Sequence, residues 1–260
     1  MQEVKIIPCL DMKNGRVVKG IHFVNLRDAG DPVECASLYC REGADEIAFL
    51  DISATLEGRK TLIDIVSKTA AAVTVPFIVG GGIGEIDDIR RILDAGATRV
   101  SISSAAFKNP GLVADAVREY GSDSVIVAID VDFNPDLPSG YEVYIKGGTE
   151  ATGKDAIQWA AECTRLGAGQ LLPTSKAADG TRDGYDIKLL RMMADATGLP
   201  VIASGGAGTL EHFYEAATEG KASSLLAASV FHFRTFTIGQ VKEYLSEKGI
   251  PVALDNRTYD

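Results

Sequence analysis

Short apolar runs that stop abruptly on an acid recur along this chain. Ile6 to Leu10 runs into Asp11, and Val125 to Ile129 runs into Asp130 near the chain's midpoint. Continuous runs of branched apolar residues are typical of strands that are buried on both faces of a parallel sheet. We therefore expect each acid to emerge from the core where its strand ends.

Stretches with the helical spacing of apolar residues separate these runs. Asp31 and Pro32 predict a helix start, and the apolar spacing predicts a last helix over about residues 238–247. Eight strand–helix units without a linker predict the α/β class, as one closed parallel (β/α)8 TIM barrel over residues 1–250 with a C-terminal tail over residues 251–260. A doubly wound open sheet is the alternative, but no GxGxxG motif opens the first unit.

The second half of the chain repeats the first. The strand that ends in Gly80-Gly81-Gly82 returns as the strand that ends in Ser204-Gly205-Gly206, which predicts a two-fold half-barrel repeat. Two segments interrupt the pattern. We expect the polar, glycine-containing residues 12–32 to form a long loop that acts as a lid, and the turn residues within 132–148 predict a small hairpin.

Composition limits the classes of function. The net charge of −10 argues against a nucleic-acid partner, because that partner requires a basic surface. No apolar run approaches the roughly 20 residues of a membrane span, and the N-terminus lacks a signal-peptide core, so we expect no membrane contact and a cytoplasmic protein. The four cysteines and three histidines are scattered without metal-ligand spacing, so we assign no metal and no cofactor.

The two strand-end acids predict acid–base chemistry. In a barrel of this type the carboxyl ends of the strands line the active site, and strands one and five lie opposite each other. Asp11 and Asp130 would then face one site, where paired carboxylates can donate and accept a proton. The structural alternative is that each acid caps a loop or pairs with a lysine.

Glycine and hydroxyl residues form two further clusters at strand ends. Gly80 to Gly82 with Ser103-Ser104, and Gly205-Gly206 with Ala228-Ser229, offer backbone N–H groups and hydroxyls that suit phosphate. Two such clusters across the barrel mouth predict an elongated substrate with a phosphate at each end. The alternative is that the glycines only form tight turns.

A longer set of motifs points to one family. The motifs are Ile7-Pro8-Cys9-Leu10-Asp11, Val17-Val18-Lys19-Gly20, Phe49-Leu50-Asp51-Ile52, Val79-Gly80-Gly81-Gly82, Asp179-Gly180-Thr181, Gly184-Tyr185-Asp186, Ala203-Ser204-Gly205-Gly206-Ala207-Gly208, Glu211-His212-Phe213 and Leu226-Ala227-Ala228-Ser229-Val230-Phe231-His232. Together they resemble the cyclase subunits of imidazole glycerol phosphate synthase, over residues 4–250. The sister phosphoribosyl isomerases share the barrel and the paired aspartates, but not this combination of motifs.

The resemblance implies a reaction and a partner. A glutaminase subunit, bound as a heterodimer, would supply ammonia. The barrel would convert a bis-phosphorylated phosphoribulosyl-formimino aminoimidazole carboxamide ribonucleotide into imidazole glycerol phosphate and aminoimidazole carboxamide ribonucleotide, in histidine biosynthesis. Asp11 and Asp130 would be catalytic, and Lys19 would contact the substrate as its loop closes.

The resemblance also assigns the binding and gate residues. Gly82, Ser103 and Ser104 would hold one phosphate of the substrate. The other side would be held by Asp179, Gly180, Ser204, Gly206, Ala228 and Ser229. Lys5, Glu46 and Arg99 match members of a charged ring at the barrel floor, where ammonia enters, and Gln170 occupies the fourth place.

The chain departs from the family pattern at four places, one of which is Ala177-Ala178 instead of a more polar pair just before Asp179. Gln170 stands where the ring usually has a glutamate, Ile78 replaces a usual threonine on the ammonia path, and Ser103 replaces a usual asparagine at a phosphate. None of them touches the aspartate pair, so we expect the cyclase chemistry to be retained. Three alternatives stay open. They are a sister-type phosphoribosyl isomerase that needs no ammonia, a drifted or engineered barrel without turnover, and a relative that uses the same ammonia delivery on a nucleotide sugar or saccharide.

Overall fold

A computed structural model describes residues 3–21, 24–52, 54 and 61–254, and for residues 19–29 it describes the backbone only. The described strands of the first half are β1 (Lys5–Lys13), β2 (Arg16–Ile21), β3 (Val24–Gly30), β4 (Ile47–Asp51), β5 (Phe77–Gly80) and β6 (Arg99–Ile102). The helices between them are α1 (Pro32–Arg41), α2 (Ile63–Ala72), α3 (Ile86–Asp94), α4 (Ser104–Lys108) and α5 (Gly111–Tyr120).

The second half begins after a short 3-10 turn at Ser122–Ser124. Its strands are β7 (Val125–Phe133), β8 (Tyr141–Ile145), β9 (Glu150–Asp155), β10 (Gln170–Ser175), β11 (Ile202–Ala203) and β12 (Ser224–Ala227). Its helices are α6 (Ala156–Arg165), α7 (Ile187–Thr197), α8 (Leu210–Thr218), α9 (Ser229–His232) and α10 (Ile238–Glu247).

Eight of the described strands close into a parallel barrel. Parallel pairing joins β12 to β1, and then β1, β4, β5, β6, β7 and β10 in succession. β11 pairs with β12, and single bridges from Leu171 to Val201 and from Thr174 to Ser204 join β10 to β11. The predicted (β/α)8 barrel is confirmed, and β1 and β7 lie four strands apart in both directions around it.

Alternation along the strands separates the interior of the barrel from the helical shell. The interior cluster contains Ile7, Cys9, Ala48, Ile78, Ile126, Leu172, Ile202 and Leu226. The neighbouring residues on the same strands, such as Ile6, Phe49 and Val127, pack outward against the helices. Because side chains on a strand point to alternate faces, the residues at 11 and 130 share the inward face with Cys9 and Ala128.

The first interruption of the pattern is not the loop that we expected. β1 continues past Asp11 to Lys13 and pairs with β2, and β2 pairs in turn with β3, both in antiparallel fashion. Asn14 and Gly15 form the turn with φ values of 50° and 77°, a pair of positive φ angles that two-residue hairpins require. The prediction of a loop over residues 12–32 is therefore wrong. The Asn-Gly pair is the sequence signal for a hairpin that this prediction overlooked.

The predicted hairpin after the fifth barrel strand is present and larger than expected. β7 continues past Asp130 to Phe133, pairs with β8, and β8 pairs with β9 in antiparallel fashion. The Asp155 carboxylate then caps α6 by accepting from the N–H groups of Ile157 and Gln158. This antiparallel extension stands beside the carboxyl end of β7.

Residues near the two ends of the described chain meet at the floor of the barrel. The Val4 N–H donates to the carbonyl of Pro251 at 2.8 Å, and Ile250 is buried in the core. Lys242 of α10 binds Asp45 at 2.6 Å, with both side chains nearly buried. Residues 255–260 of the predicted tail lie outside the described residues. Across the described ranges, none of the helices combines the length and the apolar character that crossing a membrane requires.

Candidate active site

The carboxyl ends of the barrel strands surround one cavity of about 220 Å³. Asp11 on β1 and Asp130 on β7 both line it, from opposite sides of the barrel. Strand pairing fixes the backbone at both positions, because Asp11 lies opposite Leu50 of β4, and Asp130 lies between Thr174 of β10 and Tyr144 of β8. The structure thus brings together the pair that the sequence singled out.

The surroundings of Asp130 favour its protonated form. Its pKa is raised from 3.8 to about 6, mainly by burial and also by the nearby Asp179 carboxylate, while Lys176 opposes the shift. Lys176 is itself held by Asp132 at 3.2 Å and lies over the Tyr144 ring at 3.6 Å. A carboxyl group with a pKa near 6 can donate and accept protons near neutral pH.

Asp11 has a different environment. The thiol of Cys9 donates to its Oδ1 atom at 3.3 Å. Cys9 is buried on the same inward face of β1 and also lines the cavity. The two catalytic candidates therefore differ in their neighbours, which is the condition for giving two carboxylates different roles.

The first phosphate-type cluster lies at the ends of β5 and β6. Ser103 and Ser104 line the cavity together with Gly80 and Gly81. Gly82 is the residue directly after Gly81 in the chain. Gly81 has a φ of 91°, and a Cβ there would lie 2.2 Å from the carbonyl oxygen of Asp51, so only glycine fits. The Lys146 N–H, from the turn between β8 and β9, donates to the Ser104 hydroxyl at 2.8 Å.

The second cluster occupies the equivalent place in the other half. The residues that line the cavity here are Asp179, Gly180, Ser204, Gly205, Gly206, Ala228 and Ser229. Gly206 has a φ of 100°, and a Cβ there would lie 2.0 Å from the carbonyl oxygen of Gly184. The Gly184 N–H donates to the Gly206 carbonyl at 2.8 Å, which joins the loops that follow β10 and β11. Both glycines of each repeated pair have a positive φ, with values of 91° and 72° at Gly81 and Gly82 and of 84° and 100° at Gly205 and Gly206.

The four predicted gate residues meet at the opposite end of the barrel. Lys5 Nζ lies 2.6 Å from Glu46 Oε1, and Arg99 Nη1 lies 3.1 Å from Glu46 Oε2 and 3.1 Å from Gln170 Oε1. Gln170 Nε2 continues the ring to the Ser224 hydroxyl at 3.5 Å. The Glu46 side chain is fully buried, whereas those of Lys5 and Arg99 are 38% and 22% exposed. One buried carboxylate therefore pairs with two cations that remain in contact with solvent.

Asp51, Thr174 and Arg182 are among the residues that line the cavity without having been assigned to the site. Asp51 follows the apolar run of β4 as Asp11 follows that of β1, so the same sequence pattern could have identified it as a site residue. Thr174 and Arg182 gave no such signal, because their access to the cavity depends on the path of the chain after β10. The side chain of Lys19 lies outside the described residues. Within the described ranges, no three His, Cys, Asp or Glu side chains converge into a group suited to a metal ion.

A comparison with protein families agrees with this architecture. The model of a family described as "Histidine biosynthesis protein" matches residues 5–237, which include all the barrel strands described above. That family consists of (β/α)8-barrel enzymes of histidine biosynthesis and includes both the cyclases and the sister isomerases. Because the match covers nearly the whole chain, this protein belongs to the histidine biosynthesis protein family.

Proposed function

We propose that this protein is the cyclase of the family, which uses ammonia from a glutaminase partner to form imidazole glycerol phosphate and aminoimidazole carboxamide ribonucleotide. The observation that carries the proposal is the polar ring of Lys5, Glu46, Arg99 and Gln170 at the floor of the barrel. Burying charges costs free energy, so a buried charged ring is expected where a function requires it. An isomerase, whose substrate enters and leaves at the mouth, gives no reason for such a ring.

The interior above the ring is suited to neutral ammonia. Between the floor and the cavity the barrel is filled by apolar side chains, among them Ile7, Ala48, Ile78 and Leu226. An ammonium ion would lose its hydration in this layer without compensation, whereas neutral ammonia would not. Ile78, which departs from the family pattern, lies in this layer and makes it more apolar.

The carboxylate pair would perform the proton transfers at the mouth. Asp130, whose raised pKa makes protonation easier near neutral pH, would deliver a proton to the departing nitrogen as the carbon–nitrogen bond breaks. Asp11, on the opposite wall, accepts the proton that ring closure releases. The two glycine and serine clusters would hold the two phosphates at the ends of the substrate, so that its middle lies between the carboxylates.

Steady-state turnover tests the proposal directly. We expect imidazole glycerol phosphate to form with ammonium salt alone, and with glutamine only when a glutaminase subunit is added. Asp11→Asn and Asp130→Asn should each abolish this turnover and leave the fold intact, while Asp136→Asn, an exposed change on the turn after β7, should leave it unchanged. Aldose–ketose isomerisation without ammonia would instead identify the sister enzyme, and binding without any turnover would identify a drifted barrel.

A further inference from the structure

The charge of the cavity wall is strongly one-sided. Four carboxylates line the cavity, those of Asp11, Asp51, Asp130 and Asp179. Among its lining residues in the described part of the chain, Arg182 is the one with a cationic side chain. A substrate with a phosphate at each end would bring further negative charge into this wall, so it needs a cation to compensate.

The backbone of Arg182 is fixed beside the second phosphate-type cluster. Arg182 has a φ of 66°, and its carbonyl oxygen would lie 2.0 Å from a Cβ at Gly208, so the two loops are in close contact. The Gly184 N–H bond to the Gly206 carbonyl secures the same pair of loops. The exposed side chain of Arg182 therefore starts from a well-defined point at the rim of this cluster.

The guanidinium group lies against an exposed aromatic ring. Its central carbon is 5.4 Å from the ring centroid of Phe233, which is 58% exposed. Phe233 directly follows the helix that begins at Ser229, one of the residues of the second cluster. An exposed contact between a cation and a ring is weak, whereas a guanidinium–phosphate pair is charge-assisted and can be bidentate. A phosphate in the cluster would therefore draw Arg182 away from Phe233.

We propose that Arg182 is the phosphate-binding cation of the second cluster, and that Phe233 holds its side chain over the mouth while the cluster is empty. This inference rests on the proposed function in one respect, the phosphate at that end of the substrate. It adds a specificity residue, since Arg182 would favour a substrate with an anionic group at this end over one that is neutral there.

Inorganic phosphate is the probe, followed by NMR at backbone amides of both clusters. We expect phosphate to shift the amides of Gly180 and Gly206 and those of Ser103 and Ser104. Arg182→Met should weaken the response of Gly180 and Gly206 to phosphate by about tenfold or more and leave that of Ser103 and Ser104 unchanged. Arg182→Lys should restore part of the lost response. Arg234→Met is the matched control, because Arg234 is an exposed cation that directly follows Phe233 in the chain and is not among the residues that line the cavity.

Kinetics and a second variant complete the test. In turnover, Arg182→Met should raise KM about tenfold and change kcat by less than about twofold, because the phosphate lies far from the reacting atoms. Phe233→Leu should leave phosphate affinity unchanged or higher. An unchanged response of Gly180 and Gly206 in Arg182→Met, an equal loss in Arg234→Met, or a loss of affinity in Phe233→Leu would overturn the inference. Arg182-dependent phosphate binding without turnover would refute the proposed function and retain the binding role.

Discussion

Asp130→Asn should make the folded protein more stable at neutral pH while it abolishes turnover. Burial and the nearby Asp179 raise the pKa of Asp130 from 3.8 to about 6, so the folded state disfavours its ionised form. Such a carboxyl group stabilises the folded state fully only when the pH is below its pKa in the unfolded state. This stabilisation is lost as the pH rises to its pKa in the folded state. Asparagine is neutral at every pH and has nearly the same shape, so it should avoid this loss.

The expected gain follows from the two pKa values. A carboxyl whose pKa rises from 3.8 to about 6 costs the folded state about 3 kcal/mol once both states are ionised. The difference between Asp130→Asn and the wild type should thus be small near pH 4, about half complete near pH 5, and up to about 3 kcal/mol at pH 8. Urea unfolding can follow it through Trp159, the single tryptophan of the chain, which is buried.

Two controls make this result decisive. Far-UV circular dichroism should give the same unfolding midpoints as Trp159 fluorescence, since the free energies are meaningful only for a two-state transition. Asp136→Asn removes an exposed carboxylate and should change stability by less than about 0.5 kcal/mol at all pH values. A pH-independent gain, or a loss of stability in Asp130→Asn at pH 8, would contradict the assigned cause of the raised pKa.

Two further stability predictions concern the backbone and the floor of the barrel. Gly206→Ala should cost about 2–4 kcal/mol in urea unfolding, because its Cβ would meet a carbonyl oxygen at 2.0 Å, whereas Gly198→Ala, at a φ of 68° with no atom within 4 Å, should cost only about 1 kcal/mol. Equal costs would show that no clash exists at Gly206. Lys242→Met should cost about 3–5 kcal/mol, because it removes the cation from a nearly buried carboxylate, to which the Ile6 N–H still donates, and adding Asp45→Asn should recover most of that loss. Strict additivity of the two changes would refute a direct ion pair.

Local patterns were sufficient for most of the fold and for part of the site. Buried runs of apolar residues gave the barrel strands, and the acid at the end of such a run gave Asp11 and Asp130. The repeated glycine pairs predicted Gly82 and Gly206, and both have the positive φ that favours glycine. The error over residues 12–32 was also local, since Asn14-Gly15 is a hairpin signal between two strands that are more polar than those of the barrel.

What the sequence determined by itself is the order of strands and helices, the half-barrel repeat, and the acids and glycines at the strand ends, because each follows from spacing within a few residues. Only the tertiary structure decided the rest. Glu46 meets Arg99 and Lys5 at the floor, and Asp130 acquires its raised pKa from burial and from Asp179 on the next barrel strand's loop. Arg182 reaches the mouth through the same loop. Desolvation and charge interactions depend on distances through space, and barrel closure sets those distances between residues that are far apart in the chain.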